Sequence, residues 1–115
     1  MPLNVNIAEA AEGQGAKIKT NAKQNYGFYC APCHGLRGLG DGINATKSQP
    51  VQPRNHTSVR EMSRLSDEDI IDVIKGGGRA VGKSTMMPPF GDTLTDAEIK
   101  ELLRYVRGLC KCSGR

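Results

Sequence analysis

The sequence predicts an all-α fold with long loops. Three observations carry this: apolar residues recur at helical spacing in three segments, two of those segments open on N-cap signals, and no stretch alternates as a strand would. With 115 residues the chain holds one domain. We place a loose arm at residues 1–14, the domain at 15–112 and a short tail at 113–115.

From about Gly15, Ile18, Ala22, Tyr26 and Tyr29/Cys30 form the stripe of an amphipathic helix that runs directly into Cys30-Ala31-Pro32-Cys33-His34. Residues 35–60 are dense in Gly, Pro, Asn and Ser; so long a loop in a small domain implies that it wraps something. Ser66-Asp67-Glu68-Asp69 caps a short middle helix carrying Ile70, Ile71, Val73 and Ile74, with Gly76, Gly77 and Gly78 as its stop. Thr95-Asp96-Ala97-Glu98 is a capping box for a terminal helix with Ile99, Leu102, Leu103, Val106 and Leu109 on one face.

The apolar inventory is thin: 4% aromatic residues, no Trp and 14 Gly. Such a chain needs something besides side chains at its centre. Sixteen Lys and Arg against twelve Asp and Glu give a net charge of +4, spread without a basic block. That favours an acidic protein surface as partner over nucleic acid. No stretch has the length and apolarity of a membrane span, and residues 1–15 lack the apolar core of a signal peptide; an export signal is expected to have been removed or never included.

Cys30-Ala31-Pro32-Cys33-His34 is C-x-x-C-H, the attachment site of a c-type haem. On a helical turn these three side chains share one face, so two thiols meet the haem vinyls while the imidazole reaches iron from the same side. An electron-carrying iron needs a sixth ligand. Met86 and Met87 lie in a loop stiffened by Pro88 and Pro89, and a thioether favours the ferrous state. Ordinary packing is the competing role for these methionines. His56 is the rival ligand, in a polar loop where a solvent-exposed histidine is expected.

Two other chemistries compete for the cysteines. A thioredoxin-type dithiol needs a βαβ scaffold, which is missing from the pattern. A four-thiolate zinc site would recruit Cys110 and Cys112, but leaves the MMPPFG loop and both flanking helices without a role. A disulfide between Cys110 and Cys112 would close a tight ring, and we expect these residues to be structural or incidental.

In order along the chain, "NYGFYCAPCHG", "MPPFG" and "LTDAEIKELLRYVRGL" resemble a class I monohaem cytochrome c over roughly residues 15–110. The resemblance implies one haem c held by thioethers at Cys30 and Cys33, His34 and Met87 as axial metal ligands, and terminal helices packed through Ala22, Tyr26 and Tyr105. It further implies a non-enzymatic electron carrier in the periplasm, monomeric or weakly oligomeric, that meets redox proteins. From their charge alone, Lys17, Lys19, Lys23, Lys83 and Arg104 are individually solvated residues that together could ring an exposed haem edge and steer an acidic docking surface. "GLGDG" followed by "QPRNHT" resembles the G-x-G-D-G-P…P-R-D-F segment of a subgroup that includes oxidase and reductase haem subunits. That comparison implies Arg54 as a haem propionate partner and puts the carbonyl that holds the His34 ring near residues 42–44, where Ile43 replaces the usual Pro. A haem subunit of a larger reductase or oxidase complex and a haem-based ligand sensor are the alternatives.

One motif points elsewhere. Gly77 to Ser84 spells G-x-x-x-x-G-K-S, the spacing of a phosphate-binding loop. Such a loop follows a strand and opens a helix, whereas here the preceding element is helical and Pro88 and Pro89 fall where the helix would continue, at about 3 kcal/mol each. We therefore expect no nucleotide, and read the glycines as the end of the middle helix and a flexible approach to Met87.

Overall fold

The computed structural model describes residues 21–48, 51–84 and 86–115. The expected arm, and residues 15–20 with Lys17, Ile18 and Lys19, lie outside them; the helix expected from about Gly15 begins instead at Ala22, because Asn21 is an extended N-cap. Asn21 opens helix α1 (Ala22–Asn25): its side chain accepts the Gln24 N–H while the Gln24 side chain accepts the Asn21 N–H. The helix then widens into a π-helical segment (Tyr26–Cys30) before α2 (Ala31–His34). Pro32 accounts for the widening. It has no N–H to give the Phe28 carbonyl, and its ring would crowd that carbonyl in an ordinary helix.

A loop leads to the short helix α3 (Val59–Met62), capped by Ser58, which the sequence pattern does not signal. Helix α4 (Asp67–Ala80) and helix α5 (Asp96–Cys110) start on capping boxes at Ser66/Asp69 and Thr95/Glu98, as expected. Gly77 has a non-helical backbone that kinks α4, so the regular helix does stop in the glycine run. There is no strand among the described residues.

Helix α5 is the spine. Helices α1, α3 and α4 all pack on it, and its Ile99 and Leu102 are buried with Tyr26, Met62, Ile70 and Ile74. The expected terminal-helix contact forms, with the Tyr26 and Tyr105 ring centroids 5.0 Å apart. Arg107 fastens the middle of the chain to this spine, donating to the carbonyls of Met62 (2.9 Å) and Leu65 (2.7 Å) and to Asp67 (3.0 Å). Beyond α5, Lys111 takes a left-handed turn, Cys110 and Cys112 join in a disulfide, and Arg115 donates to the Arg64 carbonyl at 2.7 Å.

Candidate haem site

A cavity of about 670 Å³ opens between α2, the loop at 51–56, α4 and the loop at 86–90. That volume is ordinary for a cofactor site. Cys30, Cys33, His34, Arg54, Met86 and Met87 all line it, against apolar walls from Ile70, Val73, Ile74, Phe90, Leu102 and Val106. The lining thus brings together the thiols of Cys30 and Cys33, the imidazole of His34 and the thioethers of Met86 and Met87, with His56 and Met62 beside them, and contains the donors that a covalently attached haem needs.

The His34 Nδ1 donates to the Arg54 carbonyl at 3.0 Å, which leaves the lone pair on Nε2. Burial holds the His34 pKa below its ordinary value, favouring the neutral ring that binds metals. The holding carbonyl is therefore that of Arg54, and the placement near residues 42–44 is corrected. That stretch instead satisfies the end of α2, where Gly40, Gly42 and Asn44 donate their N–H groups to the carbonyls of His34, Cys33 and Pro32. Arg54 lines the cavity, and its guanidinium reaches Glu61 at 3.5 Å.

Burial, with Cys33 nearby, pushes the Cys30 thiol up to about 12. It stays protonated near neutral pH, unlike a redox-active thiolate. Cys110 and Cys112 are bonded to each other rather than turned toward Cys30 and Cys33. No cluster of three His, Cys, Asp or Glu able to hold a metal ion occurs among the described residues.

His56 departs from expectation. Far from lying in solvent, its ring stacks on His34 with centroids 4.0 Å apart and planes 19° apart, and its Nδ1 shares a 2.7 Å hydrogen bond with the Tyr26 hydroxyl. Burial lowers its pKa to about 3, and His34 and Arg54 add to the shift, so the ring is neutral at physiological pH.

On the opposite wall the glycines do more than end a helix. Gly78 donates to the Met87 carbonyl at 3.0 Å, and Phe90 and Gly91 donate to Ile74 (2.9 Å) and Lys75 (3.0 Å). At Gly77 a Cβ would stand 2.7 Å from the Met87 carbonyl oxygen and 2.9 Å from the Pro89 nitrogen. The glycine run is a seat for the methionine loop, not a flexible approach. Met87 is half-buried while Met86 is 50% exposed. Gly82 and Lys83 lie in a turn, and no helix follows among the described residues until Asp96, so the phosphate-loop geometry is not formed.

Comparison with known proteins bears on the family of the chain. The family model described as cytochrome c oxidase, cbb3-type, subunit III matches residues 18–106. Among solved structures, the KustC0563 c-type cytochrome is similar at 29% identity and a TM-score of 0.62, over 78% of this chain and 98% of that one. A chain of the Kuenenia stuttgartiensis reducing HAO-like protein complex Kustc0457/Kustc0458 is 31% identical with a TM-score of 0.60, over 81% of this chain but only 43% of its own length. No curated protein matches the chain. A cytochrome c domain implies covalently bound haem c and haem-based electron transfer. The fold, the cavity and the family match agree: the chain is a c-type cytochrome and belongs to the family of cbb3-type cytochrome c oxidase subunit III.

Proposed function

We propose that the chain is a one-haem electron carrier in which Cys30 and Cys33 anchor the haem and His34 and Met87 are its axial ligands. The observation that carries this is a single cavity lined by all four residues. When bound, the haem supplies one-electron Fe(III)/Fe(II) chemistry. The protein's part is to hold and shield. Arg54 fixes the protonated nitrogen of His34, the neutral thioether of Met87 would favour the ferrous state, and apolar side chains such as Ile70, Ile74 and Leu102 would pack against the haem. His56 is the poorer second ligand, because its ring stacks on that of His34 and does not face it across the cavity as a partner ligand would have to. Arg54 is also our candidate propionate partner. No substrate is transformed.

We place the carrier in the periplasm. The Cys110–Cys112 disulfide fits an oxidising compartment, and no helix among the described residues is long and apolar enough to cross a membrane. Its partners are redox proteins with acidic docking faces, given the net charge of +4. The domain spans residues 15–112, and the chain is a monomer or weak oligomer. A specific observation favours a second assignment, a haem subunit of a larger complex: one structural neighbour comes from such a complex. Stable co-purification with an enzyme would support that assignment, and rapid exchange with soluble partners would support the free carrier.

Absorption spectra of both redox states, with and without carbon monoxide, test the site. The reduced protein should show the haem c spectrum and resist carbon monoxide at neutral pH. Rapid binding would overturn Met87 ligation and favour a ligand sensor. A colourless purified holoprotein would end the haem assignment.

A further inference from the structure

We propose that His56 is a positioning residue for His34, its ring setting the rotation of the His34 plane and Tyr26 holding that ring in place. The inference rests on His34 being an axial ligand. A hydrogen bond from Nδ1 to the Arg54 carbonyl restrains one edge of the His34 ring, and leaves it some freedom to tilt about the Cβ–Cγ bond. A flat neighbour in face contact removes this freedom, and His56 is that neighbour at 4.0 Å and 19°.

His56 is itself held on two sides. Its backbone N–H donates to the Gly38 carbonyl at 2.6 Å, and Nδ1 is bonded to the Tyr26 hydroxyl at 2.7 Å. Tyr26 is 1% exposed and packs on Tyr105 of α5, so the support ends on the spine of the fold. The fit is tight around the backbone of residue 38. A Cβ on Gly38 would come within 2.9 Å of Leu109, 3.1 Å of the Tyr26 hydroxyl and 3.2 Å of His56. The single loop at 53–56 therefore supplies both restraints on His34, the Arg54 carbonyl and the His56 ring. A phenyl ring could stack here but could not bond Tyr26, so the imidazole is what couples ring orientation to the helix.

The plane of an axial imidazole determines which iron d orbital carries the unpaired electron of the ferric state, and hence the spread of haem-methyl proton resonances. The test is a proton NMR comparison of ferric holoprotein as wild type, His56→Ala and Tyr26→Phe. His56→Ala should keep covalent haem and a low-spin spectrum but change the order or spread of the methyl resonances. Tyr26→Phe, which keeps the ring volume, should shift them part of the way in the same direction. An unchanged methyl pattern in His56→Ala would overturn the proposal, and so would an unchanged Tyr26→Phe if the alanine variant does not accumulate. Failure of the underlying assignment looks different: a His34→Ala protein that keeps the wild-type low-spin spectrum would show that His34 is not a ligand.

Discussion

On one side of the cavity, side chains hold side chains: Tyr26 bonds His56, His56 stacks on His34, and His34 gives its remaining bond to a loop carbonyl. On the other side, backbone holds backbone: residues 87–91 hang from residues 74–78 by three hydrogen bonds, with Gly77 allowing the close approach. The difference teaches where each wall is vulnerable. The His34 wall depends on particular aromatic and imidazole groups, whereas the Met87 wall depends on the absence of side chains at Gly77 and Gly78.

The largest effect should come from Gly77→Ala. Gly77 has φ +76°, and a Cβ there would collide with the Met87 carbonyl and Pro89, so strain and overpacking together should cost about 2–5 kcal/mol in denaturant unfolding. The damage should be local to the Met87 wall. The reduced variant should bind carbon monoxide where the wild type resists it.

Tyr26→Phe attacks the opposite wall by removing one buried hydrogen bond and orphaning the His56 nitrogen, a loss of about 1–2 kcal/mol in the same assay. It should leave resistance to carbon monoxide intact. If both variants opened the iron equally, the two walls would not be independent. Gly82→Ala sharpens the point about close approach: Gly82 has φ +73° but nothing within 4 Å of its Cβ position, so its cost should stay near about 1 kcal/mol.

The smallest effect concerns Asp69, at the surface of α4. The Ser66 N–H and hydroxyl, and then Arg115, hold its carboxyl below the usual carboxylate range. A depressed folded value contributes stability above the unfolded pKa that is lost as pH falls through the folded one. Thermal melts below the ordinary carboxylate pKa should therefore show wild type losing slightly more stability on acidification than Asp69→Asn.

What the sequence discloses follows from how local each feature is. Cys30, Cys33 and His34 share one helical turn, and the capping boxes at Ser66 and Thr95 close within four residues, so spacing alone exposes them. Composition misplaces His56 because its burial depends on Tyr26, thirty residues away, and a polar loop says nothing about such a contact. The Arg54 carbonyl escapes for a related reason: every loop residue has a carbonyl, and only folding selects one. Two signals are present in the chain. Pro32 in the middle of a helical stripe marks the widened turn that ends at Cys30, and three consecutive glycines exceed what a helix stop requires.

The pairing of His34 with Met87 is tested most directly by the weak near-infrared absorption band that methionine ligation gives ferric haem, recorded for wild type, Met87→Ala and Met86→Ala. The band should be present in wild type, absent in Met87→Ala and retained in Met86→Ala. Its survival in Met87→Ala would contradict the assignment, and its loss in Met86→Ala alone would move the ligand by one residue.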